Sequence, residues 1–149
     1  MTLDQPVEVR LVRRFNAPAE QVFDAWLDPE TIGQWMFGAK VQDEEVVDLK
    51  VDARVGGAFS FAVRRHGNLV EHVGEYLEID RPRRLAFTWG VVQPSNTDSS
   101  RVTIDLIPME KGCQLTLIHH LHPNWADYAS RTEEGWTKML GVLSTVLGD

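Results

Sequence analysis

The stretch WADYASRTEEGWTKMLGVLSTVL, residues 125–147, has the pattern of one long amphipathic helix, and it decides how the rest of the chain must be arranged. Its apolar residues recur every three or four positions and so form one stripe: Trp136, Met139, Leu140, Leu143, Val146 and Leu147. Asn124 is predicted to cap the start of this helix, and Gly148 to end it. Because a helix cannot bury such a stripe alone, we expect a broad apolar surface against it.

Gly135 lies inside this predicted helix, where a glycine costs about 1 kcal/mol relative to alanine. A close approach of the helix to the sheet would explain a glycine at this position. We therefore expect Gly135→Leu to destabilise the protein.

The surface that covers the helix is predicted to be a sheet, because most of the chain alternates apolar and polar residues. The first strand is predicted at residues 7–15, and the others follow from residue 44. Their apolar sets are Val47, Leu49 and Val51; Phe59, Phe61 and Val63; Val73, Leu77 and Ile79; Leu85, Phe87 and Trp89; Val102, Ile104 and Leu106; and Leu115, Leu117 and Leu121. Successive hairpins with no helix between them require antiparallel pairing.

Two short helices are predicted between the first and second strands, at residues 19–27 and from Pro29 to about Met36. Pro18 and Pro29 suit the first turns of these helices. The predicted fold class is therefore α+β: a seven-stranded curved antiparallel sheet that grips a long C-terminal helix. Residues 1–149 are expected to form a single domain, since this length is ordinary for one domain.

Composition excludes several classes of function. The net charge of −7 argues against a general nucleic-acid surface and against binding to an anionic membrane. No stretch approaches the roughly 20 apolar residues that span a bilayer. Cys113 is the only cysteine, so no internal disulfide can form, and a cytoplasmic protein is predicted. Either a monomer or a homodimer is compatible with the sequence.

Several short motifs occur in a characteristic order along the chain. They are FNAP at 15–18, VFDAW at 22–26, GGAF at 56–59, GEYLEID at 74–80 and PRRLAFTW at 82–89, followed by Gly135-Trp136 in the helix. With these motifs, residues 9–147 resemble the START-like, helix-grip superfamily, and more narrowly the proteins similar to the C-terminal domain of the activator of Hsp90 ATPase. The resemblance implies a helix-grip fold. The chain departs from the usual Trp-Trp of that family at Met36-Phe37, so the ligand preference of relatives should not be transferred.

Folds of this kind often keep a cavity between the sheet and the long helix, and apolar walls with a few polar groups are typical of small-molecule sites. Aromatic residues are abundant, with five tryptophans and six phenylalanines. The residues predicted to line a ligand cavity are Trp35, Phe37, Phe59, Phe61, Glu75, Phe87, Trp89, His119, Tyr128, Trp136, Met139 and Leu143. For any single aromatic residue among them, an ordinary core position is the preferred interpretation.

Polar residues give a weaker indication of chemistry. On the predicted strands, Glu75 and His119 face the interior, where burial would shift the pKa of a titratable group. The preferred alternative for Glu75 is an edge or rim position, paired with one of the arginines. On the predicted strand His119 points inward, whereas His120 and His122 both point outward, so the three histidines do not share a face and do not form a plausible metal site. No nucleotide or dinucleotide fingerprint and no nucleophile elbow occurs in the sequence, so no cofactor is expected and no catalytic residue is assigned.

Three functions remain, in decreasing order of preference. The first is binding of a small, mostly hydrophobic molecule between the sheet and the C-terminal helix. The second, which the resemblance implies, is a protein-interaction or stress-related role like that of the Hsp90 activator domain. The third is a cavity enzyme of the cyclase or dehydratase type, for which Glu75 and His119 are the only pair of titratable groups available.

Overall fold

A computed structural model describes residues 7–37, 44–91, 100–121, 127 and 129–148. The elements in chain order are β1 (Val7–Phe15), α1 (Ala19–Asp24), α2 (Pro29–Trp35), β2 (Glu44–Val51), β3 (Ala58–Arg65), β4 (Asn68–Asp80), β5 (Arg84–Val91), β6 (Ser100–Pro108), β7 (Cys113–Leu121) and α3 (Ala129–Val146). The predicted α+β class and the element order are confirmed.

All seven strands of the described chain belong to one antiparallel sheet, in the order β1-β7-β6-β5-β4-β3-β2. Strands β2 to β7 form an uninterrupted series of hairpins, and β1 joins β7 at the far end. The tip between β3 and β4 is a two-residue turn at His66 and Gly67, both with positive φ, which suits the twist of a hairpin. The edges of the sheet are β1 and β2.

The inner face of the sheet follows the predicted alternation on four strands. Val9 and Phe15 on β1 are buried, as are Phe59, Phe61 and Val63 on β3, Val102, Ile104 and Leu106 on β6, and Leu115, Leu117, His119 and Leu121 on β7. On β5, Leu85 and Phe87 are buried and Trp89 is half-buried. These side chains form one apolar core with the helices.

The predicted inner faces of β2 and β4 are wrong in part, because a register shift in each strand reverses the direction of the side chains. The first shift lies between Val46 and Asp48, and Val47 is 46% exposed. The second lies between Tyr76 and Glu78, and Leu77 is exposed. An extra residue in one strand of a pair changes which face the following residues occupy.

Helix α3 lies against the sheet through the predicted stripe. Trp136, Leu140 and Leu143 are buried, while Met139 is partly buried and packs against the core. The helix begins at Ala129, and the predicted capping residue Asn124 lies outside the described residues. An added Cβ at Gly135 would meet no atom within 4 Å, so the prediction that Gly135 marks a close approach is wrong.

Both short helices begin at the predicted residues, Ala19 and Pro29. They end at Asp24 and Trp35, before the predicted ends at residue 27 and at about Met36. Pro29 is the first residue of α2, and Asp28 is its N-cap, whose Oδ2 accepts a 2.6 Å hydrogen bond from Thr31 Oγ1. Trp35 Nε1 donates to the carbonyl of Ala25, which ties α2 to the end of α1. No helix in the described part of the chain is long and apolar enough to cross a membrane.

Candidate functional site

The interior between the sheet and the helices is walled mainly by aromatic rings. Phe59 and Phe61 stack with ring centroids 4.7 Å apart, and Phe59 also contacts Phe87 at 5.6 Å and Trp89 at 5.9 Å. Trp136 of α3 contacts Trp89 at 5.7 Å from the opposite side. These ring contacts join β3, β5 and α3 into one aromatic cluster.

A small cavity of about 10 Å³ lies within this cluster. It is lined by Trp26, Met36, Phe59, Phe61, Tyr76, Phe87 and Trp89. A volume of this size is close to the minimum that holds one water molecule. Any larger molecule must therefore displace a wall side chain, and Met36 is the flexible member of the wall because its side chain is unbranched.

Gly74 explains how the Phe59 ring is able to lie flat on the sheet. Gly74 pairs with Phe59 on the inner face of β4, and a Cβ at Gly74 would collide with the Phe59 ring and with the carbonyl of Thr88. A side chain at this position would push Phe59 out of the cluster. Glycine is the residue that the aromatic wall requires here.

Buried polar atoms without a hydrogen-bond partner are concentrated around this cavity. Among the described residues they belong to Arg13, Trp26, His72 and Tyr76. Arg13 lies on the edge strand β1, whereas Trp26 and Tyr76 line the cavity and His72 stacks on Trp89 at 5.2 Å. Since nearly all buried polar groups in proteins are paired, these three groups are the ones in the described chain that are available to bond with a water or another molecule at the cavity.

His72 is the most unusual of these groups, because neither of its ring nitrogens has a partner within the described chain. Its ring lies between Trp89 and Phe37, with centroids 5.2 Å from each. Burial, with a smaller effect of the Arg65 charge, lowers the pKa of His72 to about 4. The imidazole is therefore neutral at pH 7 and offers one donor and one acceptor.

The Tyr76 hydroxyl and the Trp26 indole are donors. Burial, and then the nearby Asp52 carboxylate, raise the pKa of Tyr76, so the hydroxyl keeps its proton. The Trp26 indole can only donate. The other two indoles with assigned bonds are satisfied: Trp35 Nε1 donates to Ala25 and Trp136 Nε1 donates to His119.

His119 has the opposite character to His72, since both of its nitrogens are bonded. Trp136 Nε1 donates to Nδ1 over 3.0 Å, and Nε2 lies 2.6 Å from Ser100 Oγ. Ser100 in turn donates to the carbonyl of Trp89 over 2.9 Å. This chain places the proton of His119 on Nε2. Burial, with a smaller effect of His120, lowers the pKa of His119 to about 4.

The structure distributes the predicted site residues unevenly. Phe59, Phe61, Phe87 and Trp89 line the cavity. Phe37 and Trp136 contact its walls, and His119 bonds to Trp136. Trp35, Met139 and Leu143 pack in or against the core without lining the cavity, and Tyr128 lies outside the described residues.

Glu75 is exposed, so the prediction that it faces the interior is wrong. Its backbone N–H donates to Thr88 Oγ1 over 2.9 Å, and the inward positions on β4 belong to His72, Gly74 and Tyr76. The structure therefore does not bring Glu75 and His119 together inside the protein. His120 points outward as predicted, with Nε2 3.3 Å from Glu8, and His122 lies outside the described residues.

Sequence reasoning missed three residues that line the cavity, Trp26, Met36 and Tyr76, and also His72 beside it. Trp26 and Met36 lie at the ends of the short helices, and the sequence does not give the position of these helices over the sheet. His72 and Tyr76 were assigned to the wrong face, because the pattern Val73, Leu77, Ile79 was followed across the register shift.

Two larger hollows open at the surface and differ in chemistry from the aromatic cavity. One, of about 580 Å³, lies between the short helices and the end of α3 and carries the carboxylates of Glu20, Asp24 and Asp28. Asp24 accepts two hydrogen bonds from Arg81, and this hydrogen bonding lowers the pKa of Asp24. The other, of about 400 Å³, lies on the outer face around Arg101 and His120. None of the described residues that line these two hollows has a buried polar side-chain atom without a partner.

Comparison with known proteins identifies relatives over nearly the whole chain. The solved structure of protein CV1439 from Chromobacterium violaceum is 27% identical, with a TM-score of 0.83, and the match covers 95% of this chain and 97% of that one. The AHSA1 (SPO3351) protein from Silicibacter pomeroyi is 24% identical, with a TM-score of 0.80 and coverage of 95% and 98%. Protein NE0264 from Nitrosomonas europaea is 22% identical, with a TM-score of 0.81 and coverage of 95% and 94%. A search of curated proteins finds no match.

The family model described as "Activator of Hsp90 ATPase homolog 1-like protein" matches residues 16–148. That range includes every element except β1. The resemblance inferred from the motifs is confirmed, and the chain belongs to the family of activator of Hsp90 ATPase homolog 1-like proteins.

Proposed function

We propose that the protein binds one small, mostly hydrophobic molecule inside the aromatic cluster between the sheet and α3. The observation that carries the proposal is the set of three buried, unpaired polar side chains, Trp26, His72 and Tyr76, around one apolar cavity. An unpaired buried polar group costs about 1–3 kcal/mol. A bound molecule that pairs with these groups would offset that cost.

The proposal requires the cavity to enlarge when the molecule enters. The unliganded volume of about 10 Å³ is too small even for one aromatic ring. Met36 lines the cavity and can change rotamer more readily than its aromatic neighbours. It stands where the family usually has the second of two tryptophans, so the flexible wall is a feature of this chain.

Native mass spectrometry of protein purified gently from its own host tests this function. We expect a non-covalently bound small molecule to be released on unfolding. Met36→Trp should abolish its retention by filling the cavity, whereas Met139→Trp, on the partly buried side of α3, should retain it. No co-purified molecule, together with no change in melting temperature across a library of small aromatic compounds and lipids, would refute the proposal.

The family name supports a second candidate, activation of an Hsp90-type chaperone. The family model matches 16–148, so the support applies to the whole domain rather than to one motif. Measurement of the Hsp90 ATPase rate at saturating concentrations of this protein tests chaperone activation, and an unchanged rate would contradict this second candidate function. The proposed site of action for either function is the cytoplasm.

A further inference from the structure

The chemistry of the unpaired groups narrows the class of molecule that the cavity accepts, provided that the proposed binding function holds. Trp26 Nε1 can only donate a hydrogen bond, and the Tyr76 hydroxyl keeps its proton and can donate. The two polar groups that line the cavity thus offer two donors, with the Tyr76 oxygen as one acceptor, and His72 lies beside the cavity against Trp89. Donors exceed acceptors in the cavity lining, so a complementary molecule must supply acceptor atoms.

The walls indicate that the rest of the molecule is flat and aromatic. Phe59 and Phe61 present a stacked pair, with an interplanar angle of 24°, and His72 stacks on Trp89 with an angle of 23°. Aromatic pairs in stacked or edge-to-face contact gain about 0.5–1.5 kcal/mol beyond the burial of their area. A planar ring would contact the faces or edges of these groups, as they already contact one another.

The absence of available charge indicates that the molecule is neutral. None of the seven described residues that line the cavity is charged. The charged groups that act on His72 and Tyr76 are Arg65, which pairs with Glu44 at 2.7 Å, and Asp52, which pairs with Arg54 at 2.9 Å. A buried anion or cation would therefore lose its hydration without gaining a free counter-charge, which is strongly unfavourable.

We propose that the cavity binds a neutral aromatic molecule that carries an oxygen acceptor, of the aryl ketone class. The Tyr76 hydroxyl and the Trp26 indole donate to that oxygen, and the ring of the ligand packs against Phe59 and Trp89.

Three single-ring probes separate the parts of this inference: acetophenone, α-methylstyrene and benzoate. The first two differ only by an oxygen in place of a methylene group, and the third has the same ring with a negative charge. Each is titrated at pH 7 into ¹⁵N-labelled protein, and binding is followed through the indole N–H resonances of the tryptophans. Trp35 and Trp136, whose indoles already have partners, serve as internal controls.

We expect acetophenone to move the Trp26 indole proton downfield, while α-methylstyrene does not, and Trp35 to remain in place in both titrations. Tyr76→Phe should weaken acetophenone binding about tenfold and change the α-methylstyrene Kd by less than about twofold, as loss of one hydrogen bond predicts. Benzoate should bind at least about tenfold more weakly than acetophenone.

The failures of the two proposals are distinguishable. If neither neutral probe binds although a small molecule co-purifies with the protein, the binding function stands and the aryl ketone class is wrong; if neither probe binds and no molecule co-purifies, the binding function itself is wrong. A different result applies if both neutral probes bind, the Trp26 indole resonance does not move, and Tyr76→Phe leaves the ratio of the acetophenone and α-methylstyrene affinities unchanged. In that case the binding function stands and the aryl ketone class is wrong. Tighter binding of benzoate than of acetophenone would overturn the neutral class. Since the Trp26 readout needs no substitution, the test does not depend on the folding of a variant.

Discussion

At the scale of single residues, the two buried histidines differ in their hydrogen bonding. Both lie on the inner face of the sheet, and burial lowers the pKa of both to about 4. His119 is fully bonded, to Trp136 and Ser100, and so specifies the position of α3 on the sheet. His72 has no partner in the described chain and contributes only its ring to the packing.

This contrast predicts opposite effects of the same substitution. His72→Phe replaces two unpaired buried nitrogens with carbon and keeps the stacked ring, so the free energy of unfolding should rise by about 1–2 kcal/mol. His119→Phe leaves Trp136 Nε1 buried without its acceptor, so the free energy of unfolding should fall by about 2 kcal/mol. Urea unfolding of both variants at pH 7 measures the difference. Destabilisation by His72→Phe equal to that of His119→Phe would contradict the described pairing.

The binding proposal adds a second consequence at His72. A stabilising replacement that also weakens binding of the natural molecule would show that the unpaired imidazole is retained for binding, since binding sites often carry groups that lower stability. Isothermal titration with the co-purified molecule, performed on His72→Phe and on the unaltered protein, checks this. Equal affinities would show that His72 is only part of the wall.

At the scale of elements, two interior glycines that look alike in the sequence have different roles. Gly74 on β4 lies under the Phe59 ring and against the Thr88 carbonyl, while Gly135 on α3 has open space where a Cβ would be. Gly74→Ala should therefore destabilise the protein by about 2–3 kcal/mol, the typical cost of overpacking. Gly135→Ala should stabilise it by about 0.5–1 kcal/mol through helix propensity and a restricted unfolded chain. Thermal unfolding of the two variants should shift Tm in opposite directions, and a lower Tm for Gly135→Ala would contradict the open space at that position.

The elements also show where sequence patterns are sufficient and where they fail. Regular alternation placed β1, β3, β5, β6 and β7 with their correct inner faces, because one buried face fixes the register of a strand. It failed on β2 and β4, where a register shift moves Val47 and Leu77 to exposed positions. A bulge depends on how two strands pair, which a single strand's pattern does not contain. The same shift placed Glu75 inside and Tyr76 outside, so the error in the candidate site follows from the error in the strand.

The sequence predicted the β3 and β5 residues of the candidate site but not the helix residues, because single-strand alternation contains no information about how elements pack together. The inward aromatic residues of β3 and β5 follow from alternation alone. Trp26 and Met36 come from the short helices, whose position over the sheet is a matter of tertiary packing. Sequence spacing gives the apolar side of such a helix but not which residue of that side reaches the cavity.

At the scale of the whole molecule, the low pKa values of the two histidines make stability depend on pH. An unfolded chain protonates each histidine near its usual pKa of about 6.5, whereas the folded protein resists protonation until about pH 4. Between these values the unfolded state binds more protons, so stability falls as the pH is lowered. The loss approaches about 1.4 kcal/mol per pH unit for each histidine. Above about pH 6.5 both histidines are neutral in the folded and the unfolded state, so they cause no loss of stability there.

Urea unfolding from pH 8 to pH 4.5 should therefore show little contribution from these groups above pH 6.5 and a steep decline below it. The ion pair of Asp24 with Arg81 does not account for that decline, because the lowered pKa of Asp24 confines its effect to pH values below its usual 3.8. His72→Phe removes one of the two titrating groups and should reduce the slope between pH 6 and pH 4.5 by about half. An unchanged slope in that variant would mean that His72 is protonated as easily in the folded protein as in the unfolded chain, and hence that its ring is not buried in the aromatic cluster.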